Sequence, residues 1–329
     1  MRKTKLILLI VVGVLLLLYG SLFLLNFGKN KQPEFGVTFS QKYADELGIN
    51  WRAAFMASLE ELNIKNYRLV AYWDLIEPQP DVYSFADLDW QIEQAKKHDA
   101  KVILAIGDRL PRWPECHWPR WTYQMSTDDR QIQVQELLKV LIERYKGYDN
   151  IVMWQVENEP FLSVFGECPK LDIEDFEADL DLVRSLDSRP IVITESGELS
   201  TWINGSKRGD YVGTSVYRVV WNKSFGYFSY DWLPASFYYL KAQLVKSFFP
   251  VKGIFISEMQ MEPWTPGMPL EKTAREEQAK SMNVKQFREN LVYVKRIGLS
   301  PVYLWGVEWW YWLKDQGDAS VWDEAKGEF

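Results

Sequence analysis

Residues 154–160 read Trp-Gln-Val-Glu-Asn-Glu-Pro, so the apolar run that begins at Ile151 ends on two acids flanking Asn158 and is stopped by a proline. Far down the chain a second apolar run, Gly253 to Ile256, leads straight to Glu258 within Ile-Phe-Ile-Ser-Glu-Met-Gln-Met-Glu-Pro-Trp. One carboxyl group that can give up a proton and a second carboxylate across a sugar ring are what cleavage of a glycosidic bond requires. A single Glu after a strand is ordinarily a solvated loop acid or the partner of an arginine. Two of them, at the ends of different strands and each beside aromatic residues and a proline, point instead to a catalytic pair. Glu157 points away from Glu159 if strand alternation persists, and reads as structural. Glu195, in Ile-Thr-Glu-Ser-Gly-Glu, ends another run; it is a candidate substrate contact and the replacement if Glu159 is not the acid. Glu198 lies further out, and Glu262 and Glu308 are placed at the mouth. Metal chemistry is disfavoured, because His98 and His117 lack His-Glu-x-x-His spacing and a nearby cysteine pair. A Gly-x-Ser-x-Gly nucleophile elbow is missing too, which argues against serine-hydrolase chemistry.

Such residues need elements that bring strand ends together. Eight short apolar runs read as strands: 35–39, 67–71, 102–106, 151–156, 191–194, 211–216, 253–256 and 302–305. Their unbroken apolar character fits strands buried on both faces of a parallel sheet. Helix-period segments lie between them. Val134, Leu137, Leu138, Leu141 and Tyr145 share one face, as do Phe237, Leu240, Leu244 and Phe248, and Phe287, Leu291, Val294 and Ile297. Eight strand–helix units in one chain of 329 residues predict a single α/β domain, a (β/α)8 TIM barrel, over 34–329. The eighth helix has only the residues after Asp318 and must be short. A doubly wound open sheet is the alternative, but no Gly-x-Gly-x-x-Gly follows the first strand. In a barrel the strand ends converge on one mouth, and here they are Trp73, Asp108, Glu159, Glu195, Tyr217, Glu258 and Trp305. Strands four and seven face each other across it.

Asn158-Glu159-Pro160 at strand four with Glu258 at strand seven resembles the retaining glycoside hydrolases of clan A, the cellulase-like family five type above all. The resemblance runs from about residue 35 to 312 and includes Arg68 in Asn-Tyr-Arg-Leu-Val, the loop Gly107–Pro119, Tyr217 in Ser-Val-Tyr-Arg and Leu-Trp-Gly-Val-Glu-Trp-Trp at strand eight. It implies Glu159 as general acid/base with a raised pKa, and Glu258 as nucleophile, kept ionised by Arg68 and the Tyr217 hydroxyl. It also implies Asn158 on the sugar 2-OH, with Trp305 as the stacking floor of that subsite. Two positions depart from the family pattern. Ser215 stands where a histidine is usual, and the strand-three histidine has no counterpart, leaving Asp108 or Arg109 to fill its space while His117 sits deep in the loop.

The chain carries 16 Trp, 17 Tyr and 17 Phe, enough both for a large core and for flat platforms under sugar faces. Trp113, Trp118, Trp121, Phe161, Phe165, Trp221, Tyr227, Trp309, Trp310 and Trp312 fall in loops expected near the mouth, suggesting a cleft for an oligosaccharide. A net charge of −7 provides no basic surface for phosphates and excludes a nucleic-acid partner. Leu6 to Leu25 is nearly all apolar and long enough to span a bilayer. With Arg2, Lys3 and Lys5 ahead of it, residues 1–5 read as a cytoplasmic tail, 6–26 as a transmembrane signal anchor and 27–33 as a linker, with the barrel extracytoplasmic. A cleaved signal peptide is the competing reading, but no Ala-x-Ala site follows. Cys116 and Cys168, in loops at the same end of the barrel and in an oxidising compartment, are expected to bridge. The function expected is therefore hydrolysis of β-linked oligo- or polysaccharide without a cofactor. A transglycosylase using the same carboxylates and a non-catalytic carbohydrate-binding barrel are the alternatives.

Overall fold

The structure is a computed structural model. It describes residues 2–329 except Met268; the side chains of Arg2 and Lys3, which the expected charge asymmetry invokes, lie outside the described residues. Eight parallel strands close a barrel: β1 (Phe35–Thr38), β2 (Asn66–Val70), β3 (Lys101–Ile106), β4 (Ile151–Val156), β5 (Ile191–Glu195), β6 (Tyr211–Val216), β7 (Gly253–Gln260) and β8 (Val302–Trp305). Each pairs with its sequence neighbours, and β8 closes on β1 in register from Phe35↔Val302 to Thr38↔Trp305. This is the (β/α)8 TIM barrel.

Alternation along the strands sorts the side chains. Val102, Leu104 and Ile106 of β3 join the large core between barrel and helices, while Ile103 joins Val192, Phe255 and Tyr303 in a separate buried cluster that fills the barrel floor. Above that floor the interior turns polar with Thr38, Arg68, Gln155, Thr194 and Glu258, all buried. The site therefore rests on a packed apolar plug.

Strand limits match the apolar runs closely except at β7, which continues to Gln260 and so carries Glu258 inside the strand. The β6–β7 register passes from Thr214↔Ile256 to Ser215↔Glu258, so Ser257 is an extra residue on β7. A bulge of this kind re-aims the side chain that follows it, here Glu258.

The helix Thr127–Tyr145 buries the predicted face, and so does Val284–Ile297. The helix Ser236–Phe248 does not: it buries Ser236, Tyr238, Ala242 and Val245, while Leu244 and Phe248 are 61% and 74% exposed. Both faces of this helix are apolar, so periodicity alone could not choose between them. Nor is the eighth helix confined to residues after Asp318. Val307–Asp315 forms it directly after β8, and Ser320–Lys326 adds a second short helix. Trp309 and Trp310 thereby become core residues instead of rim residues.

The sharp turn after β3 depends on Gly107, whose φ is +121° and whose missing Cβ would lie 2.0 Å from Glu157 Oε1. Gly107→Ala would displace the carboxylate that holds the turn. We expect a loss of about 1–3 kcal/mol in urea unfolding, with unchanged far-UV circular dichroism.

Candidate active site

Arg68 rises from β2 into the barrel and is completely buried. Its Nη1 donates to Glu258 Oε1 at 2.7 Å, its Nε to Gln155 Oε1 at 2.6 Å and its Nη2 to Asn158 Oδ1 at 2.6 Å. The second oxygen of Glu258 accepts from the Tyr217 hydroxyl at 3.1 Å. Glu258 thus has a cation on one carboxylate oxygen and a hydroxyl donor on the other. Asn158 is fixed at its other end as well, since its Nδ2 donates to Glu115 Oε1 at 3.0 Å.

Glu159 sits differently. Its backbone takes the left-handed conformation at φ +40°, and its amide donates to Thr194 Oγ1 at 2.8 Å, which turns the side chain across the mouth. There Glu159 Oε1 accepts from Ser215 Oγ at 2.9 Å. Ser215 is the strand neighbour of Glu258, so the two acids meet over β6. Glu159 has no ion pair with a cation among the described residues. Burial first, then the charges of Glu258 and Glu115, push its carboxyl well above the usual range. Ser215 offsets this only in part.

Glu157 is also left-handed, at φ +59°, so strand alternation has ended there. It faces away from Glu159 all the same, accepting from the amides of Asp108 at 3.0 Å and Arg109 at 2.5 Å. It anchors the β3 turn.

A cellulase model, glycosyl hydrolase family 5, matches residues 31–226. The chain belongs to glycosyl hydrolase family 5. That match includes β1 to β6 and Glu159 but stops short of Glu258. Shorter likenesses exist to the β-galactosidase LacZ of Lactobacillus acidophilus, 26% identical over 104 residues, and to a β-1,4-xylanase of Dictyoglomus thermophilum, 32% identical over 87 residues. Each covers 26% of this chain, and only 16% and 23% of the relative. Among solved structures, a family 5 subfamily 18 protein from Streptomyces cattleya in complex with GlcNAc aligns with a TM-score of 0.58 at 15% identity, over 83% of this chain and 70% of its own. A family 10 endoxylanase from a sugarcane soil metagenome aligns at 0.57 and 14%, over 85% and 87%. These two likenesses show the shared fold.

The family 5 barrel does not bring every predicted residue to the mouth. Trp73 is wholly buried against Trp121, with its indole N–H donated to Glu77 Oε2 at 2.8 Å, so it has no face to offer a sugar. The chain enters a short helix at Trp73, and this turns the ring into the core. Glu195 is spent on structure: Ser200 and the Gly205 amide donate to its carboxylate, which braces the loop and helix after β5. Trp305 stands at the mouth, but the Arg112 guanidinium lies 4.1 Å from its ring centroid and its N–H donates to Glu262 Oε1 at 2.7 Å. Its place is beside a charged cluster in which Arg112 also pairs with Glu262 and Glu308. Cys116 and Cys168 are bonded, with Cα atoms 5.4 Å apart, and tie the β3 loop to the β4 loop.

Four contributors escaped the sequence reading. Gln155 alternates with Trp154 and so points inward, a position strand periodicity could have flagged. Trp264 stacks edge-on against Tyr217, ring centroids 5.2 Å apart. Arg112 and Glu115 lie in an irregular loop with no period to place them. His117, in the same loop, is buried, and its ring is lowered to about 3 by burial and then by Lys42, so it stays neutral.

Glu115 pairs with Arg109 at 2.6 Å, yet burial outweighs the pairing and raises its carboxyl from 4.5 to about 7. A raised folded-state pKa means that the native state holds the proton more tightly than the unfolded chain. The contribution of Glu115 to stability is therefore fully present below pH 4.5 and is lost as pH rises through 7. Measured by urea unfolding, the stability of the wild type relative to Glu115→Gln should fall across that range. Removing the cation at the centre has the opposite cause and a larger effect. Arg68→Met leaves Glu258 buried without its partner, for an expected loss of about 3–5 kcal/mol at pH 7 in the same assay.

Proposed function

We propose that this protein is a membrane-anchored retaining glycoside hydrolase acting on β-linked carbohydrate outside the cytoplasm. Glu159 is its acid/base and Glu258 its nucleophile. The observation that carries this reading is the division of environments between two neighbouring acids. Glu258 is bonded by a guanidinium and a phenol; Glu159 is buried beside two other carboxyl groups, which pushes its carboxyl well above the usual range, and its one hydroxyl partner offsets this only in part. Paired acids whose surroundings push them apart are the signature of one nucleophile and one proton donor.

The mechanism follows from these settings. Glu159 protonates the glycosidic oxygen while Glu258 attacks the anomeric carbon, forming a glycosyl ester and expelling the alcohol. Glu159, now ionised, takes a proton from water, which attacks the same carbon and releases Glu258. Asn158, clamped between Arg68 and Glu115, is the fixed hydrogen-bonding group for the sugar 2-hydroxyl. Retention is supported by the closeness of the two acids, because Ser215 bonds Glu159 and is itself the strand neighbour of Glu258.

The apolar helix Arg2–Leu22 supports the anchored placement, since its residues from Thr4 onward form a span long enough for a bilayer and uncovered by the barrel. In the anchored orientation residues 1–5 face the cytoplasm. A cleaved leader predicts a shortened protein in the medium, which a Western blot distinguishes.

Glu159→Ala and Glu258→Ala are each expected to lower kcat on chromogenic β-glycosides by about 10²–10⁴-fold or more, and NMR of the first product should show the retained anomer. Wild-type rates in both variants would exclude the assignment. Binding to a glycan array without turnover by the wild-type chain would select the non-catalytic barrel. The Ser215 hydroxyl stabilises the ionised form of Glu159, so Ser215→Ala should raise that group further. The basic limb of the kcat/KM profile then moves to higher pH.

A further inference from the structure

The helix Arg2–Leu22 touches the barrel in its last turn. The Tyr19 hydroxyl donates to the Trp232 carbonyl, and the Leu22 carbonyl accepts from Ser236 Oγ at 2.7 Å. From there the chain follows the barrel wall. Phe27 stacks on Tyr239 with centroids 4.2 Å apart, and the Phe27 and Gly28 amides donate to the Arg296 carbonyl at 3.1 and 3.3 Å. Gly28 is so close that a Cβ would lie 1.7 Å from the Lys295 carbonyl oxygen. Residues 23–28 are thus seated on the wall instead of forming a loose tether.

The order of these contacts gives a direction. Trp232 lies in the segment that leaves β6, and Ser236 opens the helix after it, so both stand at the mouth end of the barrel. Arg296 sits in the last turn of the helix that runs back toward the start of β8, at the floor end. The chain therefore descends from mouth to floor between residues 19 and 28, and the apolar helix projects beyond the rim that carries the active site.

The rim beside it is apolar and exposed. After β6 the chain forms a hairpin, Val219–Asn222 paired with Gly226–Ser229, whose turn holds Phe225 at 83% exposure. Phe228 is 42% and Trp232 53% exposed. The hairpin is not a loose excursion, because the Tyr230 amide donates to the Arg218 carbonyl at 2.8 Å and Arg218 pairs with Asp231 at 2.8 Å. A chain of net charge −7 has no general attraction for anionic headgroups, so apolar insertion must supply the contact. Aromatic rings at the foot of a spanning helix are the side chains that settle at the boundary of hydrocarbon and water.

We propose that this rim, through Phe225, Phe228 and Trp232, rests on the same bilayer that the N-terminal helix crosses, so that the active site opens toward the headgroup layer. The inference rests on the anchored reading above. A mouth placed in this way meets saccharides attached at the membrane surface before those free in solution.

The test uses the full chain in nanodiscs of phosphatidylcholine and phosphatidylglycerol, with a nitroxide on a single introduced cysteine at Phe225→Cys, Trp232→Cys or Phe248→Cys. Phe248 is exposed on the same wall but lies about 18 Å further along its helix, toward the floor. Labels at 225 and 232 are expected to collide with oxygen several-fold more than with a water-soluble nickel chelate, and the label at 248 to show the reverse. Nickel access at 225 and 232 equal to that at 248, in protein that remains with the discs, overturns the proposal. So does a lipid-exposed label at 248, which means that the barrel lies on its side. A label at 225 or 232 shielded from both reagents indicates contact with a second copy and overturns it as well. Failure of the anchored reading shows separately, as protein that elutes without discs on size exclusion.

Discussion

One buried cation organises the mouth of this barrel. Arg68 has no access to solvent, so its charge must be balanced and its donors occupied inside the protein. It reaches Gln155 on β4, Asn158 just beyond that strand and Glu258 on β7. These contacts fix the relative positions of β2, β4 and β7, and a buried pair that loses one member is far more costly than a missing surface bridge. Glu258 and Asn158 are therefore held by the same constraint that keeps the barrel interior electrically balanced. Glu159 lies outside that constraint, and its proton affinity rises through burial first and then through the neighbouring charges of Glu258 and Glu115.

A second layer keeps this arrangement rigid. The β3 loop turns at Gly107 under the carboxylate of Glu157, sends Glu115 to Asn158 and Arg109, and is bonded to the β4 loop through Cys116–Cys168. On the far side Arg112 lies against Trp305 and pairs with Glu262 and Glu308. Nearly every charged side chain at the mouth is thus committed to another. A sugar entering here meets preset partners, and catalysis by fixed charges depends on such preorganisation.

The sequence was most legible where physics is local. Buried parallel strands must be apolar on both faces, so the eight runs matched the eight strands within one or two residues, except at β7. Its apolar run ends at Ile256 because Ser257 and Glu258 are polar, yet they continue the strand into a polar interior. The helix Ser236–Phe248 was misread for the opposite reason. It has apolar residues on two faces, and only the neighbouring chain decides which of them is covered. Trp73 and Glu195 stand near the ends of apolar runs as Glu159 and Glu258 do, but a one-turn helix and a loop to be braced took them out of the mouth.

From the sequence alone came the barrel, the acids on strands four and seven and an apolar span ahead of the domain, while Arg68 and Tyr217 came from the family resemblance. All of these depend on residue type and position along a strand, which a linear pattern records. Tertiary structure alone decided that Ser215 faces Glu159, that Glu115 and Arg112 enter the mouth from an aperiodic loop, and that the apolar helix meets the barrel at Trp232 and Ser236. Those are distances between segments remote in sequence, and only closure of the barrel sets them.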